Sequence, residues 1–277
     1  MAREKEVPEA IRRELEAIRA RMRDIRYKIL VVSGKGGVGK SFVTANLAVA
    51  LHQRGRKVGV LDADIHGPSI PKMLGVHGQR LYATPAVVFP VRAPCGVFVV
   101  SMDFLLPDET TPVIWRGPLK ATAIRQLLAS VEWGGLDYLL VDLPPGTGDE
   151  PLSAAQLIGE VTGVVLVTIP SDVSRLVVSK AVSFARHLGV PVLGVIENMS
   201  YFTCPICGST HRIFGEGAGH RIAEAMNVPF LGEIPIDPRI AECGDRGVPF
   251  VTTYPDTPAA QAFLRIADRI AETIERQ

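Results

Sequence analysis

The chain has 277 residues, of which 47% are apolar, and a formal net charge of +1. This length suits one large domain or two small ones, and the apolar content is enough for a sizeable buried core. The near-zero charge argues against broad electrostatic capture of nucleic acid or of an anionic membrane. No apolar run approaches the ~20 residues of a transmembrane helix, and the charged N-terminus lacks the apolar segment of a signal peptide. We therefore expect a cytoplasmic protein that binds neither nucleic acid nor membrane.

The N-terminal segment 1–27 is predicted to be a helical arm that precedes the main domain. Between residues 8 and 26, apolar side chains recur at steps of three and four, which places them on one stripe of a helix. These side chains are Ile11, Leu15, Ile18, Met22 and Ile25. The helix either packs on its own domain or contributes to a dimer or partner contact, because two heptads are too few to establish a coiled coil.

From residue 28 to residue 277, apolar runs alternate with helical segments. The runs predicted to be strands are 29–32, 58–61, 97–101, 138–141, 163–169, 192–196 and 230–234. Nearly continuous apolar runs are typical of a parallel sheet that helices cover on both faces. The pattern predicts a single α/β domain with a doubly wound, mostly parallel sheet, whose ligand lies outside the carboxyl ends of the strands.

The segment 33–41, with the sequence SGKGGVGKS, follows the first predicted strand and has the spacing of a P-loop. Its glycines let the backbone wrap so that successive N–H groups point at phosphate oxygens. Lys40 is expected to reach the β- and γ-phosphates, and the Ser41 hydroxyl to ligate Mg²⁺. The positive end of the following helix faces the same site. The predicted ATP-binding residues of this segment are Gly34, Lys35, Gly36, Gly37, Val38, Gly39, Lys40, Ser41 and Phe42.

Acidic residues follow two other predicted strands. Asp62 and Asp64 lie in the sequence DADIHGPS, where one is suited to hold the water shell of the metal and the other to orient an attacking water. The alternative is that they cap the next helix. Asp142 ends the run 138–141 and fits the Walker-B position at Mg²⁺. The segment 143–149, rich in proline and glycine, is suited to swing a backbone N–H toward a γ-phosphate.

Cys204 and Cys207 form a Cys-Pro-Ile-Cys motif, and two intervening residues let both sulfurs point at one metal centre. One interpretation is a redox dithiol, and a second is a structural zinc site completed by His211 or another cysteine. In a third, two copies of the pair meet across a two-fold axis and form a four-thiolate site, which suits zinc or a 4Fe–4S cluster equally. Cys95 and Cys243 have no partner at motif spacing and are expected to be small apolar residues.

The segment from Lys35 to Ser41 resembles the deviant Walker A motif of the MinD, ParA and nitrogenase-iron-protein class of P-loop ATPases. The resemblance implies a homodimer in which Lys35 reaches the nucleotide of the other subunit. It implies catalytic roles for Lys35, Lys40 and Asp64, with Asp64 as the acid that activates water, Asp62 as an auxiliary acid and Asp142 behind Mg²⁺. By the same resemblance, Asn198 and Asp237 correspond to adenine-contacting positions, although both are also ordinary turn residues.

Five segments resemble the Mrp/ApbC family of iron–sulfur cluster carriers, namely 62–69, 113–118, 142–149, 204–208 and 213–217. This implies weak Mg²⁺-dependent ATP hydrolysis and a labile 4Fe–4S cluster that Cys204 and Cys207 hold at a homodimer interface, within the segment 201–219. It further implies that the cluster passes between cluster-assembly proteins and recipient apoproteins. Two features depart from the family: the N-terminal arm is short, and Phe42 replaces a small hydroxyl residue.

The alternative function is a positioning ATPase of the MinD or ParA type with a structural zinc at the cysteine pair. The segment 263–277 is amphipathic, but its positive and negative charges balance, so we expect it to pack on the sheet instead of binding a membrane. A nitrogenase-type electron donor is disfavoured, because its cysteine ligands are separated in the chain.

Overall fold

The structure is a computed structural model that describes residues 8–64, 67–85, 87–105, 117–171 and 173–276. The strands are β1 Ile25–Ser33, β2 Val58–Asp62, β3 Tyr82–Ala83, β4 Val88–Phe89, β5 Val91–Arg92, β6 Phe98–Ser101, β7 Leu136–Asp142, β8 Gly163–Thr168, β9 Val192–Thr203, β10 Thr210–His211 and β11 Phe230–Ile236. The helices are α1 Glu9–Arg23, α2 Lys40–Gln53, α3 Ile70–Met73, α4 Gly117–Ser130, α5 Asp149–Ile158, α6 Val173–His187, α7 Ala218–Met226, α8 Arg239–Arg246, α9 Phe250–Thr253 and α10 Pro258–Glu275.

Within the part of the chain that the structure describes, a nine-stranded sheet forms the centre. Its order is β10-β9-β8-β1-β7-β2-β6-β5, and β11 pairs with β9. The pairs β1–β7, β1–β8, β2–β6, β2–β7, β8–β9 and β9–β11 are parallel, whereas β5 and β10 run antiparallel to their neighbours. The predicted mostly parallel α/β sheet is therefore confirmed, and the carboxyl ends of its main strands meet at one edge.

Two apolar cores lie on opposite faces of this sheet. In β1, Ile29 and Val31 belong to one core, while Leu30 and Val32 belong to the other. Helices α2, α9 and α10 contribute to the first core, and α1, α4, α5, α6 and α7 to the second. Successive side chains of a strand point to opposite faces, so a continuous apolar run is what two covered faces require.

The N-terminal helix is part of the second core. Ile18 and Met22 of α1 are buried there, and α1 lies against α4 and α5. The predicted helix was too long at its C-terminal end, because α1 ends at Arg23 and Ile25 already belongs to β1, where it pairs with Leu136. An isoleucine at helical spacing also suits a buried strand. The pairing of Ile25 with Leu136 of β7 places this residue in the strand.

The strand that precedes the cysteine pair is longer than predicted. The apolar run ends at residue 196, but β9 continues to Thr203, so that Asn198 lies inside the strand and not after it. The extension carries polar residues, yet β11 pairs with it at Asn198 and again at Phe202. Backbone pairing with β11 therefore extends the strand beyond its apolar sequence.

The C-terminal segment folds as predicted. Phe263, Ile266, Ile270 and Ile274 of α10 are buried in the first core, and the Thr257 hydroxyl caps the helix by accepting the N–H of Ala260 at 3.2 Å. None of the helices within the described ranges combines the length and apolar character that crossing a bilayer requires.

Candidate functional site

The P-loop joins the carboxyl end of β1 to the first residue of α2, Lys40. Gly37 and Gly39 both have φ of +78°, a left-handed conformation that favours glycine. A Cβ added at Gly36 or Gly37 would meet nothing within 4 Å, so the loop surrounds open space. This cavity has a volume of about 230 Å³ and is lined by Ser33, Lys35, Gly36, Gly37, Val38, Gly39, Lys40, Ser41, Phe42, Asp64, Ser69, Met73 and Pro145.

The side chains of Lys40, Ser41 and Thr44 in α2 converge on the Asp142 carboxylate at the end of β7. Lys40 Nζ lies 2.7 Å from Oδ2, and the side chains of Lys40 and Asp142 are 6% and 0% exposed. Ser41 Oγ donates to Oδ2 at 2.6 Å, and Thr44 Oγ1 donates to Oδ1 at 2.7 Å. No motif in the sequence marks Thr44, although its position four residues after Lys40 puts both on one face of the helix.

The donor set fits a Mg²⁺-nucleotide. A hydroxyl and a carboxylate, from Ser41 and Asp142, are the hard oxygen ligands that Mg²⁺ prefers. Lys40 Nζ is within ion-pair distance of Asp142, but its contacts do not have hydrogen-bond geometry. This buried ammonium therefore keeps N–H groups with which it can donate hydrogen bonds to a ligand. A phosphate group in the adjacent cavity would accept them.

The two aspartates after β2 differ in their surroundings. Asp62 is buried and aligned with Asp142 across the β2–β7 pairing. Its carboxylate accepts the N–H groups of Asp64 and Ile70, each at 3.2 Å. Burial, and then the charge of Asp142, raise the pKa of Asp62 well above its usual value. Asp64 is half-buried and lines the P-loop cavity.

The capping alternative therefore holds in part for Asp62, because Ile70 is the first residue of α3. Of the segment 62–69, Ile65 and His66 lie outside the described residues. Also outside the described residues are residues 113–116 and the side chain of Asp149. They belong to segments that resemble the cluster carriers.

The residues predicted to contact adenine make other contacts. Asn198 Nδ2 donates to the Val38 carbonyl oxygen at 2.9 Å and thus lies against the P-loop. Asp237 follows β11, and its carboxylate accepts two bonds from the Arg239 guanidinium, at 2.8 and 2.6 Å. Burial would raise the pKa of Asp237, but the bonds from Arg239 outweigh it and hold that pKa below its usual value.

The cysteine pair occupies the turn between β9 and β10. Cys204 N donates to Ser209 O, and Gly208 N donates to Cys204 O, both at 2.9 Å, which closes the turn. Gly208 has φ of +72°. Because β9 and β1 are parallel members of one sheet, the turn lies beyond the same carboxyl end of the sheet as the P-loop. The register places Ile196 level with Ser33, and β9 continues from there to Thr203.

A polar chain leads away from one thiol of the pair. Cys207 is exposed, and its Sγ lies 2.8 Å from Ser209 Oγ, which in turn lies 3.2 Å from His211 Nε2. The hydrogen bond to Ser209 lowers the pKa of the Cys207 thiol. No motif in the sequence marks Ser209, and only its spacing of two residues from Cys207 points to it.

Cys204 and Cys207 are the candidate metal ligands on this turn. Across the described ranges, no group of three or more histidine, cysteine, aspartate or glutamate side chains could hold a metal ion. The segment around the cysteines also exposes apolar side chains: Ile206, Ile213 and Phe214 are 94%, 59% and 47% exposed.

The other two cysteines differ, because Cys243 is buried and Cys95 half-buried, and burial raises the pKa of both thiols.

Comparison with known proteins identifies the family. The model of the family described as "ParA: NUBPL iron-transfer P-loop NTPase" matches residues 24–271. The chain belongs to this family. The predicted resemblance to iron–sulfur cluster carriers of the MinD/ParA class is thereby confirmed. The match begins at residue 24, just before β1, and includes both the P-loop and the cysteine pair.

Similar proteins occur in archaea. The chain is 56% identical to the iron–sulfur cluster carrier protein of Saccharolobus solfataricus, over 93% of this chain and 87% of the relative. It is 52% identical to the protein of the same name from Methanocaldococcus jannaschii, over 93% of this chain and 88% of the relative. A nucleotide-binding protein of Archaeoglobus fulgidus in complex with ADP superposes with a TM-score of 0.75 at 43% identity, over 84% of this chain and 91% of that one. MinD of Pyrococcus horikoshii in complex with Mg-ADP superposes with a TM-score of 0.66 at 27% identity, over 90% of this chain and 97% of that one.

Proposed function

We propose that this protein is an ATP-binding and ATP-hydrolysing iron–sulfur cluster carrier, which holds a labile 4Fe–4S cluster between two copies of itself and delivers it to apoproteins. The observation that carries the proposal is that two sites lie beyond the same carboxyl end of the sheet. A phosphate cradle lies next to Asp142, and the half-buried Cys204 and the exposed Cys207 lie on the β9–β10 turn, where the described residues form no group of three or more metal-ligating side chains. The names of the archaeal relatives support the cluster as cargo.

In the proposed mechanism, the P-loop N–H groups and Lys40 bind the phosphates, and Ser41 and Asp142 hold Mg²⁺. When bound, Mg²⁺ neutralises charge on the phosphoryl group that is transferred. Asp64, on the cavity wall, orients the attacking water. Asp62 fixes the Asp64 backbone by accepting its N–H.

Lys35 has a different proposed role. It lines the cavity, and its ammonium forms no salt bridge with another residue that the structure describes. In a homodimer it reaches the other subunit's nucleotide. ATP then biases how the two subunits meet, and that geometry decides how firmly four thiolates hold the cluster. Lys40→Ala is expected to lose nucleotide binding, whereas Lys35→Ala retains it and loses the dimer-dependent hydrolysis.

Anaerobic reconstitution with iron and sulfide tests the proposal. The wild type is expected to acquire four irons per dimer, measured by metal analysis and absorption spectroscopy, and to sediment as a dimer. Cys204→Ser and Cys207→Ser should each lose the cluster, while the matched controls Cys95→Ser and Cys243→Ser retain it. Stoichiometric zinc without iron would favour the positioning ATPase, and cluster binding by the Cys204→Ser, Cys207→Ser double variant would refute the proposed site.

A further inference from the structure

The C-terminal ends of α3 and α8 meet through two glycines, Gly75 and Gly247. Gly75 follows the last turn of α3 and has φ of +71°, and Gly247 is the C-cap of α8 and has φ of +68°. A Cβ at Gly75 would lie 2.5 Å from the Gly247 carbonyl oxygen, and a Cβ at Gly247 would lie 2.8 Å from Gly75 Cα. The two backbones therefore approach more closely than a side chain at either position would allow.

This glycine contact, and not charge, sets the spacing of the two helices. Lys72 Nζ lies 3.5 Å from Asp245 Oδ1, but both side chains are more than half exposed, and such ion pairs contribute little. A Cβ at Gly247 would also lie 2.9 Å from the Lys72 carbonyl oxygen. The backbone of α3 and of the residue that follows it thus rests directly on Gly247, where a side chain would push the helices apart.

α8 is a firm support for this contact. The Asp237 carboxylate accepts the N–H of Arg239, the first residue of α8, at 3.0 Å. Cys243 of α8 is buried in the first core, and its carbonyl oxygen accepts the N–H of Val248 at 3.1 Å, which closes the turn around Gly247. Because α3 has only four residues, it is the element that a side chain at the contact would displace.

α3 forms part of the wall of the P-loop cavity. Its N-cap Ser69 and its last residue Met73 line the cavity, as does Asp64. The Asp62 carboxylate accepts the N–H groups of Ile70, at the start of α3, and of Asp64, each at 3.2 Å. One carboxylate therefore holds both the start of the helix and the backbone of Asp64, so a displacement of α3 reaches Asp64.

From these contacts we propose that Gly75 and Gly247 are positioning residues for ATP hydrolysis: their close approach holds α3, and through it Asp64, in place beside the P-loop. The inference rests on the proposed hydrolysis, in which Asp64 orients the attacking water. Lys40 and Asp142 lie on other elements, α2 and β7, so phosphate binding does not depend on this contact. Loss of the contact should then lower turnover and leave the affinity for ADP unchanged.

Gly75→Ala tests the inference, with Gly78→Ala as its matched control. Gly78 has φ of +76°, so alanine meets the same backbone strain there, but a Cβ at Gly78 would meet nothing within 4 Å. Steady-state ATP hydrolysis and calorimetric titration with Mg²⁺ and ADP are measured on each variant. Gly75→Ala is expected to lower kcat by about 10- to 100-fold, because a misplacement of about 1 Å can cost that much. Its Kd for ADP should equal that of the wild type, and Gly78→Ala should keep the wild-type kcat.

Gly247→Ala reaches the same contact from α8, so that one variant remains if the other fails to fold. Its control is Gly189→Ala, since Gly189 also follows a helix with φ of +68°, and a Cβ there would meet nothing within 4 Å. Hydrogen exchange, measured by mass spectrometry, adds a readout that needs no activity. In Gly75→Ala and Gly247→Ala, the segment 67–76 should exchange faster than in the wild type, and β1 should exchange at the wild-type rate.

A wild-type kcat in folded Gly75→Ala and Gly247→Ala would overturn the inference. Parallel losses of kcat and of ADP affinity would overturn it as well, because the contact would then support the whole nucleotide site. An equal loss of kcat in Gly78→Ala would assign the effect to backbone strain and not to the contact. If the wild type itself does not hydrolyse ATP, the proposed function fails and the inference fails with it.

Discussion

Lys40 and Asp142 form a buried ion pair, with Nζ 2.7 Å from Oδ2 and with side chains that are 6% and 0% exposed. The lysine of the P-loop and the carboxylate that we propose holds Mg²⁺ thus neutralise each other. A Mg²⁺-nucleotide bound as proposed would offer each of them a new partner of opposite charge. The exchange of partners avoids leaving either charge buried and unpaired, which would be costly.

The first prediction concerns this pair. Lys40→Ala should destabilise the protein by about 3–5 kcal/mol in the absence of ligand, because it leaves the Asp142 carboxylate buried without a cation. The double variant Lys40→Ala, Asp142→Asn should recover much of that loss. Urea denaturation of the two single variants and the double variant measures the coupling, and additive effects would contradict the prediction.

Thr44 is predicted to position Asp142 for metal binding. Thr44→Val keeps the shape of the side chain but removes the donor to Asp142 Oδ1. We expect the Mg²⁺ concentration that half-saturates ADP binding to rise roughly tenfold, since hydrogen bonds to charged groups contribute about 1.5–3 kcal/mol. Thr44→Ser retains the hydroxyl and should behave as the wild type. A purely structural role would lower the melting temperature of Thr44→Val without shifting the Mg²⁺ titration.

Glu197 should make stability depend on pH. Its side chain is buried, and its Oε2 accepts the N–H of Gly219 while Oε1 has no partner among the described residues. Burial raises the pKa of Glu197 above the ordinary value of 4.5, and the bond from Gly219 offsets only part of this shift. The folded state then binds the proton more tightly than the unfolded state does.

For a raised carboxyl pKa, the stabilising effect is complete below the ordinary pKa and is lost as the pH rises through the folded pKa. Glu197→Gln cannot titrate. The free energy of unfolding of this variant, relative to that of the wild type, should therefore increase as the pH is raised above about 4.5. Urea denaturation between pH 4.5 and pH 8 checks this, and a difference that is constant across the range would show that Glu197 does not titrate there.

Alkylation should distinguish the cysteines. Cys207 is exposed and its thiol pKa is lowered by Ser209, whereas Cys243 is buried and its thiol pKa is raised by burial. The thiolate is the reactive form. In reduced, metal-free protein, iodoacetamide should label Cys207 first and Cys243 last, as measured by peptide mass spectrometry. Ser209→Ala should slow labelling of Cys207, and Ser153→Ala, a substitution on α5, serves as the control.

The N-terminal helix is predicted to be needed for stability. Ile18 is 1% exposed in the second core, so Ile18→Ala should cost about 2–5 kcal/mol. Ile11, on the same stripe, is only half-buried and provides the matched control, with a smaller expected cost. Equal losses in urea denaturation would indicate that α1 is held in some other way.

Patterns that are local in the sequence predicted most of the fold. Continuous apolar runs identified the buried strands, because a strand covered on both faces needs apolar side chains at every position. The extension of β9 beyond residue 196 was missed, since it arises from backbone pairing with β11 and not from apolar side chains. The end of α1 was misplaced for a related reason: Ile25 suits a helix stripe and a strand equally.

By itself, the sequence determined the P-loop, the acids that follow β2 and β7, and the thiol pair, because each is a short motif whose spacing carries its chemistry. Only the tertiary structure decided which side chains meet across the sheet. The contacts of Thr44 with Asp142, of Asn198 with Val38 and of Glu197 with Gly219 join residues distant in the chain. Their partners are set by strand order and by the β9–β11 pairing, and no local pattern encodes either.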